Sequence, residues 1–171
     1  RSWQLQARRA EPTAKEGAAD ALAVQVWRMI DAACAEHGIA PQQITSIGVS
    51  SCGPFVLQGG MLALAAPNIC GGLGGSSSGA ARGLPNDWTC APLEAHLRQR
   101  CAKVRIENDA VGALEAERRW GALAGIDHCA YVTWSTGIGV GLCAGGHVLR
   151  GKNGNAGHAG HMFVSSHPDA A

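Results

Sequence analysis

The sequence predicts an α/β fold, on three observations. Runs rich in β-branched residues alternate with stretches of helical apolar spacing. Glycine and proline punctuate the joints. The 171 residues, 46% of them hydrophobic, suffice to bury a core.

Each element follows in order. From Thr13 to about His37 the apolar positions Leu22, Val26, Met29, Ile30 and Ala33 recur at helical spacing, and Gly38 is a natural stop. Pro41 leads into Ile44-Thr45-Ser46-Ile47-Gly48-Val49-Ser50, a strand by composition, which ends in the turn Cys52-Gly53-Pro54. After Ala66-Pro67-Asn68 comes Gly71-Gly72-Leu73-Gly74-Gly75-Ser76-Ser77-Ser78-Gly79, too poor in apolar side chains to order itself by burial, so a mobile surface loop is expected over 71–79. A glycine run can also cradle phosphate, but no G-K-[ST] ending follows this one.

A short helix is expected around Leu93, Ala95 and Leu97, then a strand at Val104-Arg105-Ile106 that ends in Glu107-Asn108-Asp109. The helix from Ala110 sets Val111, Ala113 and Leu114 on its apolar side and Glu115, Glu117, Arg118 and Arg119 toward water, with Gly121 and Gly125 punctuating its end. Cys129–Trp134, Gly139–Cys143 and His147–Leu149 read as three strands of an antiparallel meander, which argues against an all-parallel sheet. Both termini look cut: the chain opens on Arg1, and His167-Pro168-Asp169-Ala170-Ala171 completes no element.

Charge and cysteine content narrow the function classes. Fourteen basic against thirteen acidic residues give a formal net charge of +1, with no footprint for nucleic acid or anionic lipid, so a small neutral partner is expected. No apolar run approaches the roughly 20 residues that span a bilayer, and the start has no basic region followed by an apolar stretch, so a soluble protein is expected, and a cytoplasmic one on its cysteine usage. The seven cysteines are odd in number, widely spaced and without a C-x-x-C pair, which fits reduced thiols rather than a disulfide framework or a self-contained zinc site.

Three clusters could carry chemistry. Asn108 and Asp109 stand at the predicted carboxyl end of a strand, where open α/β sheets place ligands. Asp109 could be a general base for an attacking hydroxyl and Asn108 a partner for sugar hydroxyls, yet Asn and Asp are equally favoured as helix N-caps. In Ser135-Thr136-Gly137-Ile138-Gly139-Val140-Gly141 the close glycines let backbone N–H groups approach an anion and Thr136 adds a donor; the same residues also make an ordinary glycine hairpin. The loop Gly151–His161 carries His158 and His161, which could bind sugar hydroxyls or a metal, or could simply face water. Two histidines are not a zinc site, which needs four ligands when structural.

Together the clusters resemble the ROK (repressor, open reading frame, kinase) family over about Ile44 to Val164. Ile47-Gly48-Val49 with Gly53-Pro54 is similar to that family's strand and G-P turn, and Ala66-Pro67-Asn68 to its A-P-N segment. Trp88 with Pro92-Leu93 matches W-x-x-x-P-L, and Asn108-Asp109-Ala110 matches N-D-A. Thr136-Gly137-Ile138-Gly139 matches the phosphate-binding T-G-I-G, and Ala156-Gly157-His158-Ala159-Gly160-His161 resembles A-G-E-x-G-H. His158 stands where the family has a sugar-binding glutamate, and Ser135 replaces the first glycine of G-T-G. The D-x-G-G-T phosphate loop and the cysteine-rich zinc motif expected just after Asp169 are absent from this chain.

The resemblance implies a two-lobed actin-like ATPase (ribonuclease H-like) kinase fold, here truncated at both ends. Residues 1–106 would be the remainder of the N-terminal lobe and residues 107–171 the start of the C-terminal lobe. It further implies ATP-dependent, magnesium-assisted phosphorylation of a hexose or N-acetylhexosamine at the 6-hydroxyl. In that scheme Asp109 is the base; Asn108, Asp109, His158 and His161 contact the sugar; Thr136, Gly137 and Gly139 face the nucleotide phosphates. His161 would also ligate a structural zinc in the full-length protein. The partners implied are a sugar and a nucleotide, with no nucleic acid or membrane, and a homodimer is open to such a protein. The alternative is the sugar-sensing domain of a ROK-type transcriptional repressor, in which the same cleft binds ligand without chemistry. A degraded reading frame is a third reading. The fragment alone is expected to be inactive and, with faces and strand edges uncovered, prone to aggregate.

Overall fold

The structure is a computed structural model that describes residues 4–70, 83–135 and 137–162. The predicted glycine loop at 71–79 lies outside the described residues. The chain divides into two compact units, Arg1–Val49 with Gly53–Ile106, and Ser50–Cys52 with Glu107–Ala171.

In the first unit, α1 spans Ala21–Glu36, shorter than the helix expected from Thr13. Gly17 takes a φ of +87°, which breaks helical continuity, and the Gln25 side chain accepts a hydrogen bond from the Ala14 N–H of the segment that leads into the helix. The buried stripe is Ala23, Trp27 and Cys34, while Leu22, Val26, Met29, Ile30 and Ala33 are only half-buried. Trp27 Nε1 donates to the His96 carbonyl of α2 (Leu93–Leu97) at 3.3 Å, and the Arg100 guanidinium stacks over the Trp27 ring.

A 3-10 turn at Pro41–Gln43 precedes β1 (Ile47–Ser51), which starts three residues later than composition suggests. It pairs with β4 (Val104–Asn108). Two strands were not anticipated: β2 (Phe55–Gln58) and β3 (Met61–Leu64) form an antiparallel hairpin closed by Gly59-Gly60, both at positive φ. Beyond it, Leu64 and Ala91 exchange backbone hydrogen bonds of 2.9 and 2.7 Å, which brings α2 onto the hairpin. Phe55, Leu64, Leu93 and Leu97 are nearly inaccessible and form the core. Buried Asn86 ties three segments together, donating to the Lys15 and Ile69 carbonyls at 2.7 and 3.0 Å and accepting from the Trp88 N–H at 3.0 Å.

In the second unit, α3 spans Asp109–Trp120 and packs on a meander of β5 (Cys129–Trp134), β6 (Ile138–Ala144) and β7 (His147–Val148). Both strand pairs are antiparallel, with Cys129 opposite Cys143 and Trp134 opposite Ile138. Ala110, Val111 and Leu114 form the buried helix face. Glu115 and Arg118 are partly exposed, as helical spacing suggested, but also engaged by the protein: Glu115 is bonded to Arg150, and Arg118 Nη2 donates to the Gly146 carbonyl at 3.0 Å. The opposite sheet face leaves Val132, Trp134 and Ile138 exposed. None of the seven cysteines is in a disulfide, and no helix among the described residues is long and apolar enough to cross a membrane.

Candidate functional site

Asn108 closes β4 and caps α3. Its Oδ1 accepts from the Ala110 N–H at 3.0 Å and the Val111 N–H at 3.4 Å, satisfying two of the donors that a helix start leaves orphaned. The capping and ligand-binding readings of Asn108 are therefore compatible: the cap uses the amide oxygen, and no hydrogen bond among the described residues uses the amide nitrogen. The cap makes Asp109 the first residue of α3, an exposed carboxylate at the positive end of the helix dipole.

β6 lies directly against this helix start because its inward positions are glycines. A Cβ on Gly139 would lie 3.3 Å from Ala110 Cβ, and one on Gly141 only 2.6 Å from the Ala110 carbonyl oxygen and 2.8 Å from Leu114 Cβ. The hairpin before it is tight, with the Ser135 N–H donating to the Gly137 carbonyl at 3.0 Å. Open space surrounds the position that a Gly137 Cβ would occupy. Thr136 lies outside the described residues.

The third cluster continues along β6 where the short β7 leaves off. Leu149 N–H donates to the Leu142 carbonyl at 2.8 Å, and Val140 N–H to the Gly157 carbonyl at 3.1 Å. Gly157 has φ +85°, and a Cβ there would stand 1.9 Å from the Val140 carbonyl oxygen; one on Gly160 would stand 2.8 Å from that of Ile138. The loop thus seats backbone on backbone, a contact that only glycine permits. His158 is half-buried in it, and His161 enters as backbone, in a 3-10 turn at Ala159–His161.

The three clusters, far apart in sequence, thus share one neighbour, the first four residues of β6. Asp109 begins the helix on one side of that strand, Gly137 begins the hairpin that leads into it, and the loop of His158 lies along its edge. The open glycine tip suits an anionic phosphate chain. No group of three or more His, Cys, Asp or Glu side chains placed to hold a metal ion occurs among the described residues.

Arg150 belongs to this neighbourhood and has no short-range signal in the sequence, since its partners are 43 and 35 residues away. Its Nε donates to Glu107 Oε2 at 2.6 Å and its Nη2 to Glu115 Oε1, and its own carbonyl accepts from the Ala156 N–H at 3.0 Å. Burial opposes the guanidinium charge, but the bonds to Glu107 and Glu115 outweigh it and hold its pKa above the ordinary arginine value.

The family described as "ROK family" matches residues 2–170 of the chain. A glucokinase of Aeropyrum pernix is 35% identical over 127 residues, covering 74% of this chain and 35% of the relative. The xylose repressor of Bacillus subtilis is 35% identical over 82 residues, 47% of this chain and 21% of the relative. Among solved structures, a ROK family glucokinase from Streptomyces griseus in complex with glucose and AMPPNP superposes with a TM-score of 0.52 at 30% identity, covering 81% of this chain and 40% of that one. The chain spans about a third of the length of the glucokinase and less of the repressor. The fold is the actin-like ATPase fold of those kinases, of which this chain is a part.

Proposed function

Because the chain belongs to the ROK family, we propose that the protein it comes from is a cytoplasmic sugar kinase, which moves the γ-phosphoryl group of ATP to the 6-hydroxyl of a hexose or N-acetylhexosamine. The observation that carries this reading is the convergence of the Asn108-Asp109 helix start, the glycine hairpin and the His158 loop on the first residues of β6. Residues 1–106 are then the remainder of the N-terminal lobe and residues 107–171 the start of the C-terminal lobe.

The chemistry follows from the groups present. Asp109, exposed and fixed as the first residue of α3, accepts the proton of the attacking hydroxyl as its oxygen bonds to phosphorus in line with the departing ADP. Asn108 holds the sugar through its amide N–H groups while its oxygen caps the helix. His158 and His161 contact further sugar hydroxyls. The backbone N–H of Gly137, with Thr136, faces the nucleotide phosphates; Gly139, expected there too, pairs with Thr133 in the β5–β6 ladder and serves instead to let β6 approach the helix start. Magnesium, when bound, would neutralise charge on those phosphates. Zinc at His161 would need ligands from beyond the described residues, and no step depends on it.

The relationship to a xylose repressor supports a second reading, a sugar sensor without transfer activity, and His158 in place of a glutamate favours it locally. One experiment separates the two. Full-length protein is assayed for sugar-dependent ADP release on a panel of hexoses and N-acetylhexosamines, beside Asp109→Asn. The kinase reading expects turnover that the substitution lowers by about 10²- to 10⁴-fold with sugar binding retained. Sugar binding with no ADP release in the wild type establishes the sensor instead, and full activity in Asp109→Asn removes Asp109 as the base.

A further inference from the structure

We propose that Arg150 is a positioning residue that sets the sugar-binding loop against the helix start carrying Asn108 and Asp109; this rests on the kinase reading above for what the loop binds. Arg150 acts at both ends of the contact. Its carbonyl accepts from the Ala156 N–H at 3.0 Å and closes residues 150–156 into a ring, so its backbone fixes the base of the loop that continues into Gly157 and His158. Its guanidinium reaches out of that ring to Glu107, the residue immediately before the Asn108 cap, and to Glu115, two turns down the same helix. A rigid fork with one prong on the strand end and another on the helix registers the loop to both.

The two acids differ in weight. The Glu107 side chain is 14% exposed and that of Glu115 46%, so the Glu107 contact is the better protected from solvent and the Glu115 contact is more screened. Nothing in the transfer step requires a cation at Arg150. Its use is geometric: the polar groups of the His158 loop and the amide of Asn108 contact one ligand, and Arg150 ties the base of the loop to the strand end and helix that present Asn108.

The test uses full-length protein with Arg150→Gln, Arg150→Lys, Glu107→Gln and the double variant Arg150→Gln/Glu107→Gln. Positioning predicts a rise of about tenfold in the KM for sugar in Arg150→Gln, with the KM for ATP unchanged, and a partial recovery in Arg150→Lys, which keeps the charge but loses the fork. It also predicts that the double variant is no worse than Arg150→Gln alone, because the two groups act as a unit. A lowered melting temperature with unchanged sugar KM shows an ion pair of structural use only and overturns the proposal. Amide hydrogen exchange without sugar supplies a readout that does not depend on the kinase reading. Arg150→Gln should speed exchange at the Ala156 N–H at least tenfold while the β5–β6 ladder stays unchanged. Unchanged exchange at Ala156 overturns the clamp even if no sugar is turned over, whereas faster exchange in a protein without kinase activity retains the clamp and rejects only the assigned reaction.

Discussion

Replacing Gly157 with alanine tests whether the backbone-on-backbone seat of the sugar loop governs ligand affinity. The new Cβ would start 1.9 Å from the Val140 carbonyl oxygen, so the loop must retreat about 1.5 Å to reach ordinary contact near 3.4 Å. That retreat breaks the 3.1 Å hydrogen bond from the Val140 N–H to the Gly157 carbonyl, at about 1 kcal/mol. The φ of +85° adds about 1–2 kcal/mol for a residue with a side chain. A penalty of about 2–3 kcal/mol on the seated loop weakens sugar binding by about 30- to 150-fold, because only the seated fraction is competent. Titration calorimetry of full-length protein with its sugar reads this directly. Gly125→Ala is the control: its φ is +75° but nothing lies within 4 Å, so it bears the backbone strain alone and should leave affinity intact. Unchanged sugar affinity in Gly157→Ala would refute the reasoning.

Three further outcomes are expected. Asn108→Ala should lower the melting temperature by the few degrees that about 1 kcal/mol of lost capping represents, whereas Asn108→Asp keeps an acceptor for the Ala110 and Val111 N–H groups and should lose sugar affinity with little change in melting; wild-type affinity in the aspartate variant would leave Asn108 as a cap only. Asn86→Ala should cost about 2–3 kcal/mol in denaturant unfolding, since it strands the Trp88 N–H and two carbonyls, and should leave the KM for sugar unaltered. Desolvation and the facing Cys143 push the Cys129 thiol above the ordinary range, so iodoacetamide labelling at pH 8 should be slower than for a peptide thiol. The stability tied to that raised pKa is present below pH of about 8.5 and is lost as pH climbs through the folded value; a melting temperature that increased from pH 8 to pH 10 would contradict it.

Local pattern carried the sequence reading where neighbours in the chain are neighbours in space. The helix start at Asn108–Asp109 and the strands on either side of Ser135 were legible because capping residues, β-branched runs and glycines act within a few residues. The hairpin at Phe55–Leu64 was missed although Gly59-Gly60 between two apolar runs is the signal for it. The helical spacing of α1 did not single out its most buried residues, Ala23, Trp27 and Cys34, because Trp27 goes under to meet α2, a tertiary choice that periodicity does not make. In the site, the motif residues could be read as types, but their meeting place on β6 could not. Which side of a strand a glycine opens, and which acid an arginine reaches across 43 residues, are decided by packing.

The glycine seat also bears on how such a loop can be altered. Gly157 meets the main chain of Val140, and Gly160 meets the main chain and Cβ of Ile138, so the loop's own part in both contacts is a glycine. On the proposed function, anchorage and recognition would thereby be written in different letters: the glycines dock the segment, and the positions between them, His158 among them, would choose the ligand. A library that varies His158 and Ala159 while holding Gly157 and Gly160 would explore new sugar preferences on a scaffold that does not have to be redesigned for each of them.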